Sequence, residues 1–288
     1  TICGNGIDTG FVDYGAVQAA VLGLVQGVTE VLPVSAAAHM RVLPALFGGQ
    51  DPGPTFAAIG QLGVALATFA FLWREVLRLA VGGFTAVKGG DYRSFEFRLL
   101  IGVAVASLPY AVATLALRRW LAPCGSPHDE LWAIGAGAVG LAVLLVLVAA
   151  LARGTRDFEA VRLRDAVVIG LAHVAAVVPG VGRSGAALTA ALAMNLDRAS
   201  AVRFSFLAGL PVMLGIGLSG LKVLRAAGLS AHGWQTVGIV LAAATIGAYA
   251  AIRLLVWALG KVSVWPFAGW RVLVGGLLML AATLDVFG

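Results

Sequence analysis

The sequence predicts an all-α integral membrane protein that crosses the bilayer several times. Three observations carry that prediction. Of 288 residues, 60% are hydrophobic and 12% are charged, with a mean hydropathy of +0.95. A soluble domain is about 45–50% apolar and about 25% charged. Six apolar stretches are long enough to cross a hydrocarbon core of about 30 Å. Two further apolar stretches are interrupted by proline, glycine and ionisable residues. So little polar surface excludes a soluble enzyme, a disordered chain and a coiled coil.

In chain order, the first apolar stretch is Tyr14–Phe47, broken by Gln26, Glu30, Pro33, His39 and Pro44. Clean spans follow at Thr55–Trp73, Leu99–Leu117 and Leu131–Ala152. The second broken stretch is Asp165–Leu196, interrupted by His173, Pro179, Gly180, Gly182 and Arg183. Three more spans close the chain: Phe204–Leu221, Val237–Leu259 and Phe267–Phe287. Each broken stretch is too long for one crossing and too interrupted for two, so each reads as a re-entrant helix–break–helix hairpin. Non-helical backbone at membrane depth is tolerated only inside protein or beside water. Two such hairpins in corresponding positions point to a site at a repeat interface. Residues 11–118 and 161–259 read as two inverted repeats in one transmembrane domain, with a linking helix at 131–152 and a C-terminal helix at 267–287.

Charge supports this order. With the N-terminus outside, inner loops hold thirteen of the twenty Lys and Arg residues, among them Arg74, Arg78, Lys88, Arg153 and Arg203. Outer loops hold four: Arg118, Arg119, Lys222 and Arg225. The asymmetry follows the positive-inside rule. It also accounts for the net charge of +6 without nucleic acid, for which no basic run exists. Cys3 and Cys124 lack metal-type spacing and form no disulfide framework. Asp8 and Asp13 ahead of the first apolar stretch argue against a cleavable signal peptide.

Glu30 and Arg183 are ionisable groups inside the two hairpins, and such residues are functional candidates by default. A structural pair locking the hairpins together is the simpler alternative. Gln26 and Glu30 are four residues apart and share a helix face. Pro33 breaks that helix, Ser35 is placed to cap the next one, and His39 lies one turn beyond. Ser35 as a plain cap and His39 as a satisfied core histidine are the competing readings. In Pro179-Gly-Val-Gly182-Arg183-Ser184-Gly185, glycines allow close backbone approach. A helix start favours an anion, and Arg183 offers a planar fork to phosphate oxygens. The alternative is a break needed only for packing.

These motifs resemble the integral-membrane undecaprenyl-pyrophosphate phosphatases of the BacA type. The family pattern Glu/Gln-x-x-x-Glu followed by Pro-Val-Ser-Ser-Thr-Gly-His stands here as Gln26, Glu30, Pro33, Val34, Ser35 and His39. The pattern Pro-Gly-x-Ser-Arg-Ser-Gly-x-Thr stands as Pro179, Gly180, Arg183, Ser184 and Gly185. Gln61-Leu62-Gly63 and Phe204-Ser205-Phe206-Leu207 with Pro211 also match. The resemblance implies the inverted-repeat fold and a site open to the outer face of the bacterial inner membrane. It further implies hydrolysis of a polyprenyl diphosphate to the monophosphate, stimulated by Mg²⁺ or Ca²⁺, with a role in cell-wall synthesis and bacitracin resistance. The sequence departs from the pattern at Ala36, Ala37, Ala38, Gly182 and Ala187, so four hydroxyls are absent. Thr189 falls two residues late, and His173 sits where many members carry glutamine.

On that resemblance, Arg183 and the backbone of Gly180, Gly182, Ser184 and Gly185 hold the diphosphate, with Gln26 and His173 beside it. Glu30 and Gln26 hold the cation. His39 is the general base or nucleophile, and Ser35 is the nucleophile if His39 is the base. The partners expected are the lipid, the membrane and a second copy in a homodimer. A non-hydrolytic polyprenyl-phosphate transporter or flippase using the same site is the alternative, and a structural membrane subunit without a ligand is a third.

Overall fold

The computed structural model describes residues 10–46, 51–117, 127–261 and 263–284. The expectations for Cys3, Asp8, Arg118, Arg119, Cys124 and the chain end around Phe287 therefore lie outside the described residues. Among those described there is no strand, only an isolated bridge between Arg156 and Leu196. Eleven α-helices follow a short 3-10 turn at Gly10–Asp13.

The first hairpin is α1 (Ala16–Val31) and α2 (Ala36–Leu46). α3 (Gly53–Phe71), α4 (Trp73–Gly89) and α5 (Phe95–Leu117) complete the first half, and α6 (Pro127–Leu151) links to the second. The second hairpin is α7 (Leu163–Ala175) and α8 (Arg183–Ala193). α9 (Arg198–Ala226), α10 (Ala231–Lys261) and α11 (Trp265–Thr283) end the chain. Helices α3, α5, α6, α9, α10 and α11 are long and apolar enough to cross a membrane. They are the six spans expected from the sequence, and α9 and α10 run further into their flanks than hydropathy marks.

One segment differs from expectation. Residues 73–89, read as an inner loop, form the amphipathic helix α4. Leu79, Gly83 and Ala86 pack toward α5, whereas Leu77, Val81, Phe84 and Val87 are exposed. Arg78 bonds Glu96 and Arg203 bonds Glu75, so two of the basic residues counted as loop charges tie α4 to α5 and α9.

The broken helices are sharply delimited. Asp197 caps α9, its carboxylate accepting the Ser200 N–H at 2.9 Å. Asp165 accepts the Arg162 N–H at 2.8 Å at the start of α7 and takes the Arg156 guanidinium fork at 3.0 and 2.6 Å. Arg156 also donates to Met194 O, which ties the start of α7 to the end of α8.

Packing is organised by pairs. α1 packs on α10, α5 on both α7 and α9, α3 on both α9 and α10, and α6 on α11. These pairs exchange into one another when α1, α3, α5 and α6 are swapped for α7, α9, α10 and α11. Small residues make the seams close: a Cβ on Gly27 of α1 would collide with the backbone of Ala244 in α10. In lipid, where hydrophobic association between helices is weak, such close approach supplies the packing energy.

Candidate active site

The two breaks meet. Pro33 ends α1, because a proline cannot continue the hydrogen-bond ladder. The chain re-enters α2 through Ser35, whose φ of 72° lies in the left-handed region rarely used by non-glycine residues. Ser35 Oγ accepts the Ala38 N–H at 3.4 Å, which makes it the cap of α2. The second break runs from Ala176 to Gly182. Gly180 there has φ +86°, and a Cβ on it would run into the Ile134 carbonyl of α6. Gly180 is thus required for packing and faces α6. Gly182 heads α8 with φ +71°.

Arg183, the first residue of α8, reaches across to the first hairpin. Its Nη2 donates to Glu30 Oε1 at 2.7 Å and also to Gln61 Oε1 on α3. Its guanidinium carbon lies 5.5 Å from the centroid of the Tyr110 ring. The expected Glu30–Arg183 pair is therefore present, and both side chains are largely buried, at 12% and 10% exposure. Ser184 Oγ donates to Leu32 O at 3.4 Å, a second link between the two breaks.

A small cavity of about 30 Å³ opens beside this pair. Glu30, His173, Arg183, Ser184 and Ser205 line it, together with apolar side chains of α3 and α9. Its volume suits about one water, far less than a diphosphate needs, so the arrangement is a closed one. His173 Nδ1 lies 3.4 Å from Ala106 O.

His39 does not line that cavity. With Nδ1 carrying the proton it donates to Ser35 O at 2.8 Å, and its Nε2 accepts the Trp270 indole N–H at 2.9 Å. The two rings stack with centroids 6.0 Å apart. Gln26 is buried one turn before Glu30, its side chain against Gly60 and its Oε1 without a partner. Thr189 donates to Gly185 O of its own helix at 2.7 Å, so it does not replace the hydroxyl absent at Ala187.

Buried polar atoms are nearly always hydrogen-bonded. Among the described residues five buried side-chain N or O atoms have no partner. All five belong to the hairpins or to helices that pack on them: Gln26 Oε1, Thr68 Oγ1, Arg183 Nη1, Ser205 Oγ and Arg271 Nη1. Such atoms are what a polar ligand at this site would satisfy. Three of the residues that shape the site were not expected from motifs. Ser205 and Gln61 sit in segments recognised only by their match to the family, and Tyr110 belongs to a span with no polar signature. Arg271 and Trp270 lie together in the last span, and a lone arginine there does not reveal which backbone it reaches.

No cluster of three or more His, Cys, Asp or Glu side chains that could hold a metal exists among the described residues. Glu30 and the orphaned carbonyl oxygen of Gln26 do supply hard oxygen donors. Oxygen donors of this kind are what a Mg²⁺ or Ca²⁺ ion prefers.

Residues 19–277 match the family described as bacitracin resistance protein BacA. An undecaprenyl-diphosphatase 2 of Mesorhizobium japonicum is 42% identical over 255 residues, covering 88% of this chain and 97% of that protein. Undecaprenyl-diphosphatases of Gloeobacter violaceus and a Synechococcus species are 40% and 37% identical, over 92% and 93% of this chain and 91% and 94% of theirs.

Proposed function

The chain belongs to the BacA family, and from that premise we propose that it hydrolyses undecaprenyl diphosphate to the monophosphate and inorganic phosphate. The observation that carries this reading is Arg183. It bridges the two breaks through one nitrogen and leaves the other, Nη1, buried and without a partner among orphaned polar atoms. A guanidinium so placed is preorganised for phosphate oxygens and for the charge that grows on them in the transition state.

The remaining roles follow. Ser184 and the N–H groups at the start of α8 orient the diphosphate, and Ser205 and His173 border it. Glu30 and Gln26 would hold a divalent cation, which would supply positive charge against the phosphate. His39 is the essential group of the first hairpin. As base it takes a proton from water attacking the terminal phosphorus, and the bond from that phosphorus to the bridging oxygen breaks. As nucleophile it attacks the same atom, the same bond to the bridging oxygen breaks, and water then hydrolyses the phosphohistidine to release phosphate and free imidazole. Either role requires Nε2 to part from Trp270. Ser35 Oγ caps α2 as well, so Ser35 as nucleophile with His39 as base stays the second assignment. The cavity beside Arg183 must open for the lipid headgroup.

The two halves are inverted repeats in this reading, consistent with the exchange of helix pairs. The basic residues then lie mainly inside, and the site opens to the outer face of the bacterial inner membrane. A homodimer belongs to this proposal as an expectation of the family.

The test is phosphate release from undecaprenyl diphosphate by purified protein, with and without Mg²⁺ or Ca²⁺. Wild-type release that His39→Ala and Glu30→Ala both lose by about a hundredfold or more supports the reading. No release at any metal, from protein that still binds the lipid, overturns it in favour of transport.

A further inference from the structure

Arg271 lies in α11, and its side chain is fully buried. Nε donates to Ala138 O of α6 at 3.0 Å, and Nη2 donates to Gly180 O and Val181 O at 2.8 and 2.9 Å. These bonds pin the non-helical turn that precedes α8. All three acceptors are neutral carbonyls. No carboxylate pairs with Arg271 among the described residues. Its remaining nitrogen, Nη1, is buried without a partner. A buried cation with neither counterion nor full hydrogen bonding is costly.

The position of Nη1 explains why such a group is tolerated. A Cβ added to Gly185 would lie 3.4 Å from it, and one added to Gly182 would lie 4.0 Å from it. Nη1 therefore points at the first turn of α8. There the leading backbone N–H groups have no intrahelical acceptors, and the helix dipole favours negative charge. The opposite wall is the first break: the same built positions lie 3.6 Å from Pro33 Cβ and 3.9 Å from Ser35 Cα. Arg183 opens the same helix on the side of Glu30 and the cavity, also with a free Nη1.

We propose that Arg271 Nη1 and the first turn of α8 form a second anion subsite, which takes one phosphate group of the diphosphate while Arg183 takes the other. The identity of that anion rests on the diphosphatase reading. A diphosphate satisfies both arginines at once. A monophosphate product satisfies one, so the subsite favours substrate over product.

The experiment compares wild type, Arg271→Lys and Gly185→Ala in detergent. Thermal unfolding is followed with sodium pyrophosphate, sodium phosphate and sodium sulfate at matched ionic strength. Gly185→Ala keeps Arg271 and its three carbonyl bonds, and its methyl meets Nη1 and the flexible end of Leu141. It therefore decides the matter if Arg271→Lys fails to fold. Pyrophosphate is expected to raise the wild-type Tm more than phosphate or sulfate, and both variants are expected to lose that difference. Their KM for undecaprenyl diphosphate should rise about ten- to hundredfold, with a smaller change in kcat. Arg271 is merely a scaffold, and the proposal is overturned, if the pyrophosphate response survives in Gly185→Ala or is absent from wild type. A pyrophosphate response that depends on Arg271, in a protein that does not hydrolyse the lipid, would retain the subsite and reject the activity.

Discussion

At the scale of single residues, the pair that joins the hairpins sets both stability and chemistry. Glu30 and Arg183 are largely buried, and removing one partner strands the other. Arg183→Met is expected to cost about 3 kcal/mol, read as unfolding in mixed detergent micelles. The double change Arg183→Met/Glu30→Gln should cost much less than the sum of the two single changes. That non-additivity measures the coupling directly. The pair was legible in the sequence, because two opposite charges inside apolar hairpins have few other places to go. The orphaned atoms were not legible. Thr68, Ser205 and Arg271 are ordinary polar residues in apolar helices, and only tertiary packing decides whether their last hydrogen-bonding atom is satisfied. His39 shows the same limit. Its place one turn beyond Ser35 was legible, but nothing local foretold Trp270, 231 residues away.

At the scale of elements, backbone chemistry and seam packing dominate. Pro33 and the Pro179–Gly182 turn end helices wherever they stand, so both breaks could be placed from sequence alone. α4 was missed for the opposite reason. Its apolar residues alternate around the helix with Arg74, Glu75, Arg78 and Lys88, so averaging over a window hides a period that a single face displays. The seam of α1 on α10 gives a prediction at this scale. Gly27→Val forces the carbonyl of Ala244 aside and should destabilise the fold by about 3 kcal/mol. Gly238→Ala, with nothing within 4 Å of the added carbon, should cost nothing measurable. Comparing their denaturation midpoints checks the assignment of this face.

For the whole molecule, the crossing of α3 and α9 separates hydrolysis from transport. Ala58 and Gly220 touch there: a Cβ on Gly220 would stand 2.7 Å from Ala58 Cβ, close to disulfide reach after a small adjustment. Alternating access needs the halves to rock across such a seam, whereas hydrolysis at a fixed site does not. In a background with Cys3 and Cys124 changed to serine, oxidised Ala58→Cys/Gly220→Cys protein should keep at least about half its phosphate release. Loss on oxidation that reductant restores would instead show that the halves must move. The bond between Trp270 and His39 carries one more consequence, an optical one. An indole whose N–H is held by an imidazole emits according to that contact. Any event that draws His39 toward a ligand thus changes the colour and brightness of a fluorophore the protein already carries, and the difference between wild type and Trp270→Phe isolates its light from that of the other six tryptophans.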